Sequence, residues 1–298
     1  MKTKDRLTRA YDEARIVPFD DTSRFVFLTD AHRGDGSMSD EFAKNKDIFN
    51  AALDHYYAQG YTLVEAGDND DLWEYPHVRH IVSAHGPTFW RIRSFHRERR
   101  YFRLYGNHDV QLRDPEYVRD QFSHAFNSVT GHEEELLPGL QVLDALLFRH
   151  SGTRQEFLLV HGHQGDFSND QNWRMTMWIF RGFWKHLHAF GIRSPSSPVK
   201  NNLKRHKVER NFVKWIRLHH VALICGHTHR WKFPNGDDLP YFNTGACSFP
   251  GYITGLELAD GELALVRWHI EPDEAGYLRV ARRIVAGPRP VADFDLRS

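Results

Sequence analysis

Five short clusters of aspartate, asparagine and histidine recur along the chain, each after an apolar run. They are Asp30-Ala31-His32, Gly67-Asp68-Asn69-Asp70-Asp71, Gly106-Asn107-His108-Asp109, His161-Gly162-His163 and Gly226-His227-Thr228-His229. Carboxylates and imidazoles together suit divalent ions such as Mn, Fe or Zn. Singly, most of these clusters are commonplace in turns, and His163 reads as a neighbour of a ligand more than as a ligand. An Asn-His pair in a tight turn has little packing value, however, and Gly-His-x-His after an apolar strand is rarer still. Five in one chain point to one metal site. In open α/β sheets ligands bind beyond the carboxyl ends of strands, so these clusters ask for strands that end together. Alternation along a strand would set Asp30 and His32 on one face, and His227 and His229 likewise. The glycines at 67, 106 and 226 permit the sharp turns and close approach that a crowded site requires.

The elements that must position these clusters are readable from periodicity. Strands are expected over 24–30, 61–67 and 100–105, with helices over 41–59, from Pro76 to Arg99 with a break near Gly86-Pro87, and over 115–127. Residues 140–150 and 155–161 read as paired strands around Ser151-Gly152. Further strands are expected over 221–225, 239–244, 252–258 and 262–270, the last two joined as a hairpin by Asp260-Gly261. Strands alternating with helices early, and following one another late, describe an α/β sandwich whose second half is antiparallel.

With 298 residues, 41 % hydrophobic and 26 % charged, the chain fits one large soluble domain with a core that needs no disulfide staple. Its two cysteines form no framework pattern, and Met1 to Asp20 holds no apolar signal core, so a cytoplasmic location is expected. No uncharged apolar run approaches the ~20 residues of a membrane span. Formal net charge is zero, yet Trp173 to Leu218 carries eleven Lys or Arg against the single acid Glu209, a local +10. Such asymmetry suggests an anionic ligand or surface there.

The ordered series Asp30/His32, Gly67-Asp68, Gly106-Asn107-His108-Asp109, His161 and Gly226-His227-Thr228-His229 resembles the calcineurin-like metallophosphoesterase superfamily. The resemblance implies an α/β fold, a four-layer α/β/β/α sandwich of two mixed β-sheets, as one domain over 1–298. It implies a hydrolase of phosphoester or pyrophosphate bonds with two divalent metal ions, Mn2+ foremost, with Fe, Zn, Mg, Ni or Co as alternatives. One ion would be held by Asp30, His32, Asp68 and His229, the other by Asp68, Asn107, His161 and His227, with Asp68 bridging. Two such ions lower the pKa of a bridging water, and the hydroxide would attack phosphorus in line. His108 would face the substrate with Asn107, stabilising charge or protonating the leaving oxygen, and Asp109 would orient its ring.

Residues 166–218 read as a two-helix insertion. Trp173, Met177, Phe180, Trp184 and Leu187 form an aromatic stripe opposite Arg174, Arg181, Lys185 and His188, which suits a lid or a membrane-surface helix as well as plain core packing. The insertion resembles the lids of UDP-2,3-diacylglucosamine pyrophosphatases, which would imply a nucleotide- or lipid-linked substrate met at the inner membrane face. That group has Gly-Asn-Arg-Asp where this chain has His108, and His-Gly-Asp where it has His163. Protein Ser/Thr phosphatases share Gly-Asn-His-Asp but place an arginine where Leu72-Trp73 stands here. Arg33, Arg181 and Lys185 are the candidate substrate cations. A nuclease or other nucleic-acid-directed phosphodiesterase is the alternative, since interleaved aromatic and basic residues also suit phosphate backbones and bases.

Overall fold

A computed structural model describes residues 3–165 and 202–297. Phe25-Val26-Phe27-Leu28 shows how the layers arise. In this strand, β2, side chains alternate between two different cores: Phe25 and Phe27 face one, Val26 and Leu28 the other. A strand buried on both faces must lie between two further layers. The same holds for β9 (Glu156–Val160), where Phe157 and Leu159 join Phe25 and Phe27 while Leu158 and Val160 turn outward.

The first sheet has seven strands in the order β14 (Leu278–Pro290), β13 (Glu262–Pro272), β12 (Tyr252–Ala259), β2, β3 (Thr62–Ala66), β4 (Tyr101–Leu104) and β7 (Val142–Leu143). Its β2, β3, β4 and β7 are parallel, and β12 to β14 are antiparallel. The second has five, β1 (Arg15–Phe19), β8 (Ala145–His150), β9, β10 (Ala222–Cys225) and β11 (Tyr241–Asn243), antiparallel only between β8 and β9. Between the sheets lies a core of Phe27, Phe148, Phe157, Ile224, Phe242, Leu256 and their neighbours. Outside the seven-stranded sheet, α2 (Lys46–Ala58), α3 (Val78–Ala84), α4 (Gly86–Arg97) and α5 (Pro115–Phe122) bury Phe49, Leu53, Ile81, Phe89 and Phe122. Outside the other, α1 (Thr3–Asp12) and α6 (Asn202–His219) bury Leu7, Phe212, Trp215 and Ile216. The packing is thus helix–sheet–sheet–helix, two mixed sheets in four layers, as the resemblance implied.

Several details depart from the sequence reading. The helix begun at Pro115 stops at Phe122, and His124–Asn127 instead pairs as β5 with β6 (His132–Glu135) around a turn closed by Gly131 N–H to the Asn127 carbonyl, 2.8 Å. The apolar run 140–150 is shared between sheets, β7 in one and β8 in the other. Helix α1 and the edge strands β1 and β14 were not anticipated, because an edge strand is half polar and carries little apolar periodicity. The second helix of the expected insertion is α6, whose Phe212, Trp215 and Ile216 are buried against the five-stranded sheet, so this helix belongs to the outer layer of the sandwich. The remainder, including Arg181, Lys185 and the aromatic stripe of 173–187, lies outside the described residues. Among the described residues no helix is long and apolar enough to cross a membrane.

Candidate metal centre

The parallel strands β2, β3 and β4 in one sheet, and β9 and β10 in the other, all end at the same rim. Each is followed directly by one cluster, so the five loops converge. The first two loops are laddered beyond their strands: Asp30 N–H donates to the Gly67 carbonyl (3.1 Å), His32 N–H to Asp68 (3.0 Å) and Arg33 N–H to Asn69 (2.9 Å). The residues are presented by turns, not by the strand pleat that the Asp-x-His spacing suggested. Asp30 and His32 lie past Leu28 with φ of +53° and +50°, and Asp68, His227 and His229 likewise have φ of +51°, +64° and +55°. Nine non-glycine residues of the described chain adopt positive φ, and these are five of them. Each costs ~1–2 kcal/mol, and such strain concentrates where function over-determines the backbone.

Three groups of donor atoms form among the described residues, one of them His32, Asp71 and His108, and the other two lie around Asp30 and Asp68. Asp30, His32 and His229 bring ligand atoms within 4.8 Å of one another, and Asp68, His161 and His227 do the same. Within the first, His229 Nε2 lies 3.0 Å and His32 Nε2 3.8 Å from Asp30 Oδ1. Within the second, His161 Nε2 is 3.1 Å from Asp68 Oδ2. Surrounding hydrogen bonds aim the donor atoms. Asp30 Oδ2 accepts from Thr29 Oγ1 (2.8 Å) and His227 N–H (3.0 Å). Asp68 Oδ1 accepts from His108 N–H (2.7 Å). His161 Nδ1–H donates to the Ala66 carbonyl (3.0 Å), which turns Nε2 to the site. Asp30 Oδ1, Asn107 Oδ1 and His161 Nε2 are buried and no group outside the site satisfies them, the close contacts of Asp30 and His161 being with the neighbouring ligand atoms His229 Nε2 and Asp68 Oδ2. Buried polar atoms are ordinarily satisfied, so three such atoms in one set of hard and borderline donors fit divalent cations. Two glycines make room. A Cβ on Gly106 would lie 2.1 Å from Asp68 Oδ1, and one on Gly226 2.5 Å from Asp30 Oδ2.

The protein charges alone leave the site anionic at its carboxylates. Burial opposes ionisation of Asp30, yet His229 and His161 pull it down to about 2. Burial likewise opposes Asp68, and His161 and His108 hold it well below the usual range. Burial would lower His161, but Asp68 and Asp30 raise it to about 9. A bound cation takes the place of such protons.

His108 stands beside the two groups, its ring 4.6 Å from that of His32 and perpendicular to it. Burial would lower it, but the charges of Asp71 and Asp68 raise it to about 10. Its orienting carboxylate differs from the expected one. Asp71 Oδ1 lies 3.1 Å from His108 Nδ1, whereas Asp109 accepts from the backbone N–H groups of Gly106 (2.6 Å), Asn69 (3.2 Å) and Asp68 (3.3 Å). Asp109 therefore braces the loops, because a side chain following His108 on a tight turn points away from its neighbour's ring. Arg33 is also placed differently. It is fully buried, its guanidinium engaged by Glu65 (2.7 and 3.2 Å) and Asp70 (2.7 Å) over the Phe89 ring, so no face is left for a substrate phosphate. Arg103, equally buried, continues this network to Asp70 (2.5 Å) and Asp109 (3.4 Å), and Tyr101 donates to Glu65 (2.6 Å). The signal for it lay in Glu65 and Arg103, charged residues inside otherwise apolar strands. His163 is buried 5.6 Å from the His161 ring, and burial with the neighbouring His161 and His227 holds it well below the ordinary histidine range, hence neutral.

No protein-family model matches the chain, and no curated protein matches it. Solved structures resemble it loosely. A conserved uncharacterized protein, a predicted phosphoesterase, from Streptococcus pneumoniae is 12 % identical at a TM-score of 0.35, covering 88 % of this chain and 98 % of that one. Vacuolar Protein Sorting 29 from Cryptosporidium parvum is 11 % identical at 0.38, covering 89 % and 98 %. A 5'-nucleotidase from Candida albicans is 12 % identical at 0.34, covering 91 % and 52 %. Likeness at this level adds nothing to what the chain's own geometry says.

Proposed function

We propose that the protein is a metallophosphoesterase of the calcineurin-like superfamily, a hydrolase of phosphorus–oxygen ester or anhydride bonds that works with two divalent ions. The observation that carries the reading is the convergence of two ligand groups, Asp30/His32/His229 and Asp68/His161/His227, around buried oxygen and nitrogen atoms that nothing outside the site satisfies. Asp68, flanked by His161 on one side and sensed electrostatically by His32 on the other, is the shared ligand, and Asn107 completes the second group. Two divalent ions, when bound, supply Lewis acidity toward phosphoryl oxygens and make water nucleophilic at neutral pH. The chain's own contribution is to hold and orient. Thr29, Ala66 and the His108 N–H fix the ligands, and the αL turns keep them crowded together. His108 keeps its proton through Asp71 and gives it from Nε2 to the leaving oxygen.

The substrate is proposed to carry phosphorus on a larger anionic or lipid-linked body, with contact at the cytoplasmic membrane face. Support comes from α6, where Lys207, Arg210, Lys214 and Arg217 line the solvent side, spaced three or four residues apart, opposite its buried stripe. Mn2+ is the proposed ion. The test is hydrolysis of p-nitrophenyl phosphate, bis-p-nitrophenyl phosphate, UDP-sugars and a lipid-linked UDP-sugar with added Mn2+. Turnover is expected on at least one, stimulated by anionic vesicles for the lipid-linked substrate. No hydrolysis of any phosphorus ester sinks the reading, and strong salt-dependent binding of single-stranded DNA favours a nucleic-acid substrate instead.

A further inference from the structure

The turn after Asp70 places two unlike groups against one imidazole. Asp71 engages His108 Nδ1 at 3.1 Å, and two residues on, the Trp73 indole lies flat against the same ring, centroids 4.1 Å apart and planes within 22°. The turn itself is pinned: Asp71 N–H donates to the Arg33 carbonyl (3.0 Å), Leu72 N–H to Asp70 (3.0 Å) and Tyr75 N–H to Asp71 (2.9 Å). Trp73 is 2 % exposed and Leu72 wholly buried, so the indole has no freedom to move away. A single hydrogen bond fixes one ring atom and leaves tilt about it open. A flat aromatic face removes that tilt. The perpendicular His32 ring closes another side of His108 at 4.6 Å.

We infer that Trp73 is a positioning residue that clamps the His108 imidazole in the plane needed to reach the leaving oxygen with Nε2, the nitrogen that Asp71 does not engage. This rests on the reading of His108 as the group that meets the substrate. Misplacement of a reacting group by about 1 Å costs on the order of 100-fold in rate, and loss of one of two restraints is expected to cost about 10-fold.

The test is a double-mutant cycle on p-nitrophenyl phosphate or whichever ester the wild type turns over. Trp73→Leu is expected to lower kcat about 10-fold with KM nearly unchanged, and Trp73→Phe, which keeps a flat face, by no more than about threefold. In a His108→Ala background Trp73→Leu should cost nothing further. Equal losses in both backgrounds would show Trp73 to be packing alone and overturn the inference. Should the leucine variant not fold, Trp73→Met takes its place. A second readout needs no catalysis: the carbon-bound ring protons of His108, assigned by their absence in His108→Ala. Stacking on indole shifts them upfield in the wild type, and Trp73→Leu returns them to the ordinary histidine range. Resonances that ignore Trp73→Leu overturn the clamp, and they do so even if the wild type hydrolyses no phosphorus ester, an outcome that strikes the proposed function separately.

Discussion

Arg33→Met removes one pillar of the charge cluster beneath the metal loops. In the wild type, two guanidiniums (Arg33 and Arg103) and three carboxylates (Glu65, Asp70 and Asp109) are all fully buried. Burial disfavours the charged form of Arg33, but Asp70 and Glu65 more than offset it and keep the guanidinium protonated. The variant loses three contacts, to Asp70 (2.7 Å) and Glu65 (2.7 and 3.2 Å), and leaves one buried guanidinium facing three buried carboxylates. Breaking a buried ion network by removing one partner costs ~3–5 kcal/mol, out of the ~5–15 kcal/mol that hold a typical protein folded. For a chain of this size that lowers Tm by on the order of 10 °C. Arg33→Lys keeps the charge but not the fork, and is expected to fall between. Because the Arg33 N–H is bonded to the Asn69 carbonyl, and the Asp71 N–H to that of Arg33, the loops carrying Asp68 and Asp71 loosen too, so metal affinity should drop with stability. The assay is calorimetric or spectroscopic melting with and without Mn2+. A Tm within about 3 °C of wild type for Arg33→Met, roughly 1 kcal/mol, would show that the cluster does not brace the site.

His108→Ala is expected to lose on the order of 100-fold or more in kcat while elemental analysis still finds the wild-type metal content. Asp71→Asn, which keeps the shape but not the charge, should lower kcat and move the alkaline limb of the His108-dependent pH–rate profile toward lower pH, whereas Asp109→Asn should act mainly on stability and metal content. Gly106→Ala, whose Cβ would press on Asp68 Oδ1, should abolish tight metal uptake, measured by titration calorimetry. Asp40 gives a pH prediction remote from the ligands. Burial raises its pKa, but His85 Nε2 at 2.6 Å and the N–H groups of Gly36 and Gly34 overcome this and leave it lowered. A lowered folded pKa contributes stability above the unfolded value that is lost as pH falls through the folded one. Asp40→Asn should therefore destabilise, by urea midpoint, more at about pH 7 than at about pH 3.

Much of the site was legible because its chemistry sits at strand ends. Asp30, Asp68, Asn107, His161, His227 and His229 each come after a run such as Phe25–Leu28 or Ala222–Cys225, and parallel strands that end together deliver their loops to one place. The geometry of the turns was not legible. Five candidate ligands in positive φ leave no composition signal, and neither does the choice between Asp71 and Asp109. Adjacency favoured Asp109, yet the fold brings Asp71 across from another loop. Arg33 was misread for a related reason: next to a candidate ligand histidine it looks like a phosphate grip, and only the pairing of β2 with β3, continued in the loops beyond them, shows that Glu65 and Asp70 enclose it. Trp73 looked like a missing arginine. Its stack on His108 is a long-range contact that periodicity cannot express. Edge strand β14, rich in arginine, was invisible because its outer side answers to solvent and not to a core.

The most direct test of the metal-centre claim is the number of divalent ions per chain, measured by elemental analysis after Mn2+ loading and desalting, in the wild type and in Asp68→Asn. The proposed sharing of Asp68 by two ligand groups predicts about two ions in the wild type and loss of both in the variant. A wild type that retains no metal, or an Asp68→Asn protein that keeps two ions, contradicts the account.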